Sequence, residues 1–184
     1  MVLIGIFAGC IERKPEIQTK KDSPVSAELT TMLREHELMR ASGKFTAELI
    51  HEADIRHRQT VYQLMAQALI VEPVDLFKAA MLLQGQDSTV CAENSMLAYY
   101  LAVESTRRGN DEARRLAAES LDKYLLASGL PQKYGTQFGR DLFGQYRLYN
   151  YDSATTDQER AEWNVPSFDS LKSLAAKQSS KISK

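Results

Sequence analysis

The sequence predicts an all-α fold, an antiparallel helical bundle, and three observations carry that expectation. Apolar residues recur at spacings of three and four through most of residues 24–129. Capping and stop signals punctuate the same span at helix-sized intervals, with little that alternates like a half-buried strand. The 184 residues are 43% hydrophobic and 26% charged, an ordinary globular composition with enough apolar material for one core.

Each element follows in order. Ser23-Pro24 or Ser26 can cap a first helix to about Ser42, with Gly43 as its stop and Leu29, Met32, Leu33 and Leu38 on its apolar stripe. Phe45 to Val71 is a long periodic run carrying Leu49, Ile50, Ala53, Val61, Leu64, Met65, Ala68 and Leu69. Pro73 blocks its continuation, and a shorter helix, Val74 to Leu83, ends at Gly85. Asp87 or Ser88 can cap the next helix, which runs to Arg108 and stops at Gly109. Asn110 can cap its successor, with Asp111 and Glu112 in the positive first turn and Gly129 as the stop. Small residues recur on both members of this pair: Cys91, Ser95, Ala98, Ala102 and Ser105 on the first, Ala113, Ala117 and Ser120 on the second. Such stripes allow two helices to approach closely.

After Gly129 the texture changes. Residues 130–154 show no helical period and read as a long loop covering the bundle, without sheet pairing. Eight of the fifteen aromatics fall between Tyr134 and Phe168, so this cover has apolar area with which to dock. Thr156 and Glu159 fit a capping box for a short helix through Trp163. Pro166 separates it from a last amphipathic piece, Phe168 to Ala176, and residues 177–184 read as a frayed tail.

The paired small-residue helices are loosely similar to a tetratricopeptide unit, although no second copy recurs at a fixed period. The first ten residues, MVLIGIFAGC, resemble the end of a bacterial lipoprotein signal, with Phe7, Ala8, Gly9 and Cys10 in the four places of its cleavage motif. Phe7 stands where Leu is preferred, and no positively charged segment precedes the apolar run. The apolar run is also at the short limit for a signal, and a start set too far downstream would explain both departures. The resemblance implies lipidation of Cys10, followed by a polar linker, 11–23, and a single helical domain, 24–176. Ile11 and Glu12 lack the Asp that resembles an inner-membrane retention signal, so the implied address is the outer membrane, facing the periplasm. The alternative is a buried N-terminal segment in a cytoplasmic protein.

Lys plus Arg total 23 against 24 Asp plus Glu, which argues against a nucleic-acid footprint. Two cysteines exclude a disulfide scaffold, and no apolar run is long enough to span a membrane, so the expected membrane contact is the lipid on Cys10 alone. His36-Glu37 and His51-Glu52 invite a zinc-protease reading, but a second His four residues on is missing: Arg40 and Ile55 stand there. His57 projects from another face than His51. No phosphate loop or nucleophile elbow is present, and neither a cofactor nor a metal set is expected. Cys91 reads as a buried thiol within its helix, and Asp54 with Arg58, four residues apart, as a surface ion pair.

The segment that stands out is Gly129-Leu130-Pro131-Gln132-Lys133-Tyr134-Gly135-Thr136-Gln137-Phe138. Pro131 and Gly135 restrict its backbone, while Gln132, Tyr134, Thr136 and Gln137 bring uncharged donors and acceptors. It is either a wrapping loop whose amides satisfy buried backbone groups, or a recognition loop beside an aromatic surface. Its Pro-Gln-x-Tyr-Gly-Thr-Gln string resembles the hallmark of a bacterial family of helical proteins known as a domain of unknown function. Asp54 with Arg58, the Ala79-to-Gln84 helix end, and Asp157 to Arg160 leading to Val165-Pro166 are similar to the same family, over roughly residues 50–171. That family commonly has His after the position of Gln84, where this chain has Gly85. The resemblance implies a helical fold and a bacterial origin, with no activity attached.

Two functional expectations follow. One is a non-enzymatic binding or scaffolding domain displayed from the envelope, its partner a protein or envelope ligand. The other is an enzyme of unrecognised type, with Asp54, Arg58, Gln84, Gln132, Tyr134, Thr136 and Gln137 gathered around one cleft. An immunity-type inhibitor of a secreted toxin also fits a small helical protein, without a residue of its own to support it.

Overall fold

A computed structural model describes residues 23–85, 91–142 and 145–182 of the chain. Along it run α1 (Pro24–Ser42), α2 (Ala47–Ala66), α3 (Pro73–Gln84), α4 (Ala92–Arg107), α5 (Ala113–Ala127), β1 (Phe138–Arg140), β2 (Tyr146–Leu148), α6 (Asp157–Glu162) and α7 (Phe168–Ile182). The fold is mostly helical, as expected, with one small two-stranded sheet among the described residues. The expected signal at Cys10 and caps at Asp87 or Ser88 lie outside the described residues. No described helix is long and apolar enough to cross a membrane.

Local chemistry accounts for the helix ends. Ser23 caps α1 by accepting from Ser26 N at 3.0 Å, Pro24 opens the helix, and Gly43 closes it at φ 62°. Thr46 caps α2. That helix ends at Ala66, well before Val71, because Ala68 turns to φ 53° and the N–H groups of Ala68 and Leu69 bond back to Met65 and Leu64. Thr156 and Glu159 form the capping box that starts α6.

Packing begins in a cluster built from Leu29, Met32, Val61, Leu64, Leu76, Leu82, Leu83, Ala98, Ala102 and Ala117. Here α1 meets α2 and α3, α3 meets α4, and α4 meets α5. The small stripes make the closest contact: Ala98, Ala102 and Ser105 on α4 and Ala113, Ala117 and Ser120 on α5 are fully buried. Leu29 and Leu83 are fully buried too, each stabilising the fold by about 2 kcal/mol. A second cluster of Ala118, Tyr134, Val165 and Leu171 fastens the C-terminal third to α5, and Trp163 packs against both.

Several expectations need correction. Residues 130–154 do pair: β1 and β2 form an antiparallel hairpin with Phe138 opposite Leu148, and Gln132 bridges Tyr151. Three residues per strand are too few for alternation to be visible in the sequence. α7 runs to Ile182, past the point where fraying was expected. Cys91 is exposed and precedes α4. Leu38 is 62% exposed, with Met39 buried in its place, and Leu49 and Leu69 face outward.

Candidate functional site

The residues singled out from sequence fall in two places. The first is the junction of α5 with the hairpin. Asp122, fully buried on α5, receives the N–H groups of Lys133 (2.7 Å) and Tyr134 (2.9 Å) on Oδ1, and the N–H (2.9 Å) and hydroxyl (2.8 Å) of Thr136 on Oδ2. Burial pushes its carboxyl above the usual range, and those four donors pull it back toward ionisation. Gly135, at φ 78°, makes the turn that aims these groups at one carboxylate. Gln132 acts as a substitute peptide: Oε1 accepts from Gln137 N at 2.8 Å, and Nε2 donates to Gln137 O (3.1 Å) and Tyr149 O (3.0 Å). The Gln137 amide reaches Glu119 O and the Thr136 hydroxyl. Arg160, buried, donates to Tyr134 O, Thr155 O and Asp157. The polar atoms of the motif therefore hold the hairpin to α5. Burial raises the Tyr134 phenol to about 12. Beside Arg160 lies an open depression of about 250 Å³, in whose lining Arg160 is bonded to Thr155 and Asp157, and Asp157 to Phe168 N.

The second place is the facing surfaces of α1 and α2. Asp54 does not pair with Arg58. Its side chain points inward, 3% exposed, and takes Arg40 NH2 at 2.5 Å and NH1 at 3.2 Å, with His36 Nδ1 at 3.1 Å. A desolvated carboxylate needs a partner inside the interface, and the fork of Arg40 supplies two parallel bonds. Burial pushes Asp54 up, but hydrogen bonds and charge from Arg40 outweigh it and hold the carboxyl below its usual value. Burial first, then Arg40, lowers His36, favouring its neutral ring. His57, also buried, meets Glu35 Oε2 through Nε2 at 3.1 Å, while its Nδ1 is buried with no partner among the described residues. One donor atom from each of His36, Asp54 and His57 lies within 4.8 Å of the others, a group able to hold a metal ion.

Asp54 and the Gln132-to-Gln137 loop share no hydrogen bond, the one bonding to α1 and the other to α5. Gln84 ends α3, buried, its Nε2 without a partner among the described residues. The following carbonyl, Gly85 O, accepts from Lys123 Nζ at 2.9 Å, and burial lowers that lysine against the opposing field of Glu119. Arg58 is half-buried on the outer side of α2 and makes no ion pair among the described residues. Burial raises the Tyr62 phenol one turn on, with Cys91 adding to the rise and Arg58 opposing it. No family model matches the chain, and neither does any curated protein or solved structure.

Asp122, Arg160, His36, His57 and Arg40 were missed as functional positions from sequence. A signal for the second group did exist. His36 and Arg40 are four residues apart on one helix and Asp54 and His57 three apart on the next, so each pair shares a face.

Proposed function

We propose that this protein is a non-catalytic helical interaction module that binds a protein partner through the outer face of α2 and the turn into α3. The observation that carries this reading is the strip of Ile55, Arg58 and Tyr62, spaced three and four along α2. Ile55 and Tyr62 are 38% and 39% exposed, and Val71 and Val74, at the turn, are 55% and 46% exposed. Large apolar and aromatic side chains around an arginine with no ion pair among the described residues have the composition of an interface centre. Tyr62 is held in position by its hydroxyl bond to Asn94 on α4, which lowers the ordering cost of binding.

The helices behind the strip supply rigidity, in a style loosely like a tetratricopeptide pair, and the same reading keeps the resemblance to the bacterial helical family. It also keeps the lipid tether on Cys10, so the partner is a protein of the cell envelope. Acyl labelling of the protein expressed with its upstream region, abolished by Cys10→Ala, tests the tether.

A photo-crosslinking residue placed at Ile55 or Val71 in the producing cell tests the interface. A discrete adduct from both positions, absent from a probe at exposed Glu112 and weakened by Arg58→Glu, is expected. Equal labelling at Glu112, or no adduct from either position, overturns the reading.

A further inference from the structure

Beyond the interaction face, the α1–α2 junction holds a donor set that the protein's own contacts leave incomplete. Two ligands bound about 2.1 Å from one ion lie roughly 3.0–3.4 Å apart in octahedral or tetrahedral geometry. His36 Nδ1 and Asp54 Oδ1 are 3.1 Å apart. Arg40 NH1 lies 3.0 Å from the first and 3.2 Å from the second, so its hydrogens face both lone pairs. A positive charge is thus already drawn to the position between imidazole and carboxylate.

His57 brings the independent observation. Its Nε2–H is held by the Glu35 carboxylate, which leaves Nδ1 as the nitrogen with the lone pair. That atom is buried and meets no donor among the described residues. A carboxylate on one ring nitrogen with the other left to a cation is the arrangement that orients histidine ligands in metal sites.

We propose that His36, Asp54 and His57 bind one divalent transition-metal ion, with the Arg40 guanidinium keeping its place in the metal-free chain. Two imidazoles and one carboxylate suit zinc, cobalt and ferrous ions better than calcium or magnesium, which prefer all-oxygen cages. Arg40 is 19% exposed and sits in the last turn of α1, where its long side chain can swing into solvent. The bound ion joins the end of α1 to the middle of α2. Around this junction the buried apolar residues are few, Met39 and Ala53 among them.

The test uses the whole protein, freed of metal by chelator and titrated with Co²⁺ alone and then with Zn²⁺. Uptake of one equivalent of Co²⁺ with visible d–d absorption, displacement by Zn²⁺ and a raised melting temperature are expected. His36→Ala and His57→Ala each weaken binding at least tenfold, whereas His51→Ala and Cys91→Ser leave it unchanged. Arg40→Gln binds about tenfold more tightly, because the competing cation is gone. Far-UV circular dichroism checks each variant, and His36→Ala, at the rim, carries the test should His57→Ala fail to fold. Absence of stoichiometric uptake by both the unaltered chain and Arg40→Gln overturns the site, as does uptake that survives His36→Ala but not His51→Ala. Equal affinity with and without Arg40 overturns its place-holding role.

Discussion

Asp122→Ala tests whether the conspicuous loop motif is a fastening. The substitution removes both acceptors of four hydrogen bonds. Tyr134 is buried, so its N–H is left without a partner at a cost of about 1–3 kcal/mol. Lys133 and Thr136 are half-buried, and water can replace part of what they lose, at roughly 0.5–1.5 kcal/mol for each bond. Relief of the carboxylate's own desolvation offsets some of this, since burial raises its pKa. The expected net loss is about 3–4 kcal/mol. Urea unfolding followed by Trp163 fluorescence and by far-UV circular dichroism measures it. Trp163 lies tilted against Tyr134, with ring centroids 6.1 Å apart, and so reports on the C-terminal platform. Its transition should move to lower urea and separate from the helical signal. A loss below about 1 kcal/mol, or two signals that still coincide, would refute the fastening role.

Four further outcomes are expected. Leu83→Ala should cost about 3 kcal/mol by opening a void in the main core, whereas Leu38→Ala, on the exposed side of α1, should stay within about 0.5 kcal/mol; chemical denaturation of the pair checks both. Tyr134 should ionise near pH 12. As an acid with a raised folded pKa it contributes stability that is fully present below pH 10 and lost as pH rises through about 12, so Tyr134→Phe should flatten the alkaline limb of stability against pH. Arg160→Lys should destabilise by about 2–3 kcal/mol despite keeping the charge, because one ammonium cannot reach Tyr134 O, Thr155 O and Asp157 together; thermal melts compare it with wild type. Gly139→Ala should drive the Tyr149 ring off β1 at a cost of about 1 kcal/mol, since the half-exposed ring is free to swing outward, and loss of hydrogen-exchange protection across the hairpin would show it.

The helices were legible in sequence because their determinants are local. Ser23, Gly43, Pro73, Gly129 and the Thr156–Glu159 box each act within one turn of where they stand. The buried stripes of α4 and α5 were equally plain, because small residues at helical spacing mean close approach whatever the partner. The hairpin was not legible. Its pairing of Phe138 with Leu148 relies on a long-range anchor, Asp122 on α5 holding residues 133–136, and no local pattern announces that a helical aspartate will serve a loop eleven residues on. Ala68 ended α2 early against the preference of an alanine for right-handed backbone, its left-handed turn being closed by the bonds of Ala68 and Leu69 N–H back to Met65 and Leu64.

The candidate site shows the same boundary between local and non-local information. Searching one helix for two histidines four apart excludes a protease motif and says nothing about ligands divided between neighbouring helices. Asp54 read alone selects Arg58, because an acid and a base four apart on a helix attract each other. Burial reverses that choice. Once α2 turns Asp54 toward α1, a half-buried partner on the outer side of its own helix cannot compensate the lost hydration, whereas the fork of Arg40 can do so from within the interface. The wrong pairing and the histidines set aside on spacing therefore share one cause. The face that Asp54 occupies decides both its counter-ion and its neighbours, and that face is set by the packing of α2 on α1.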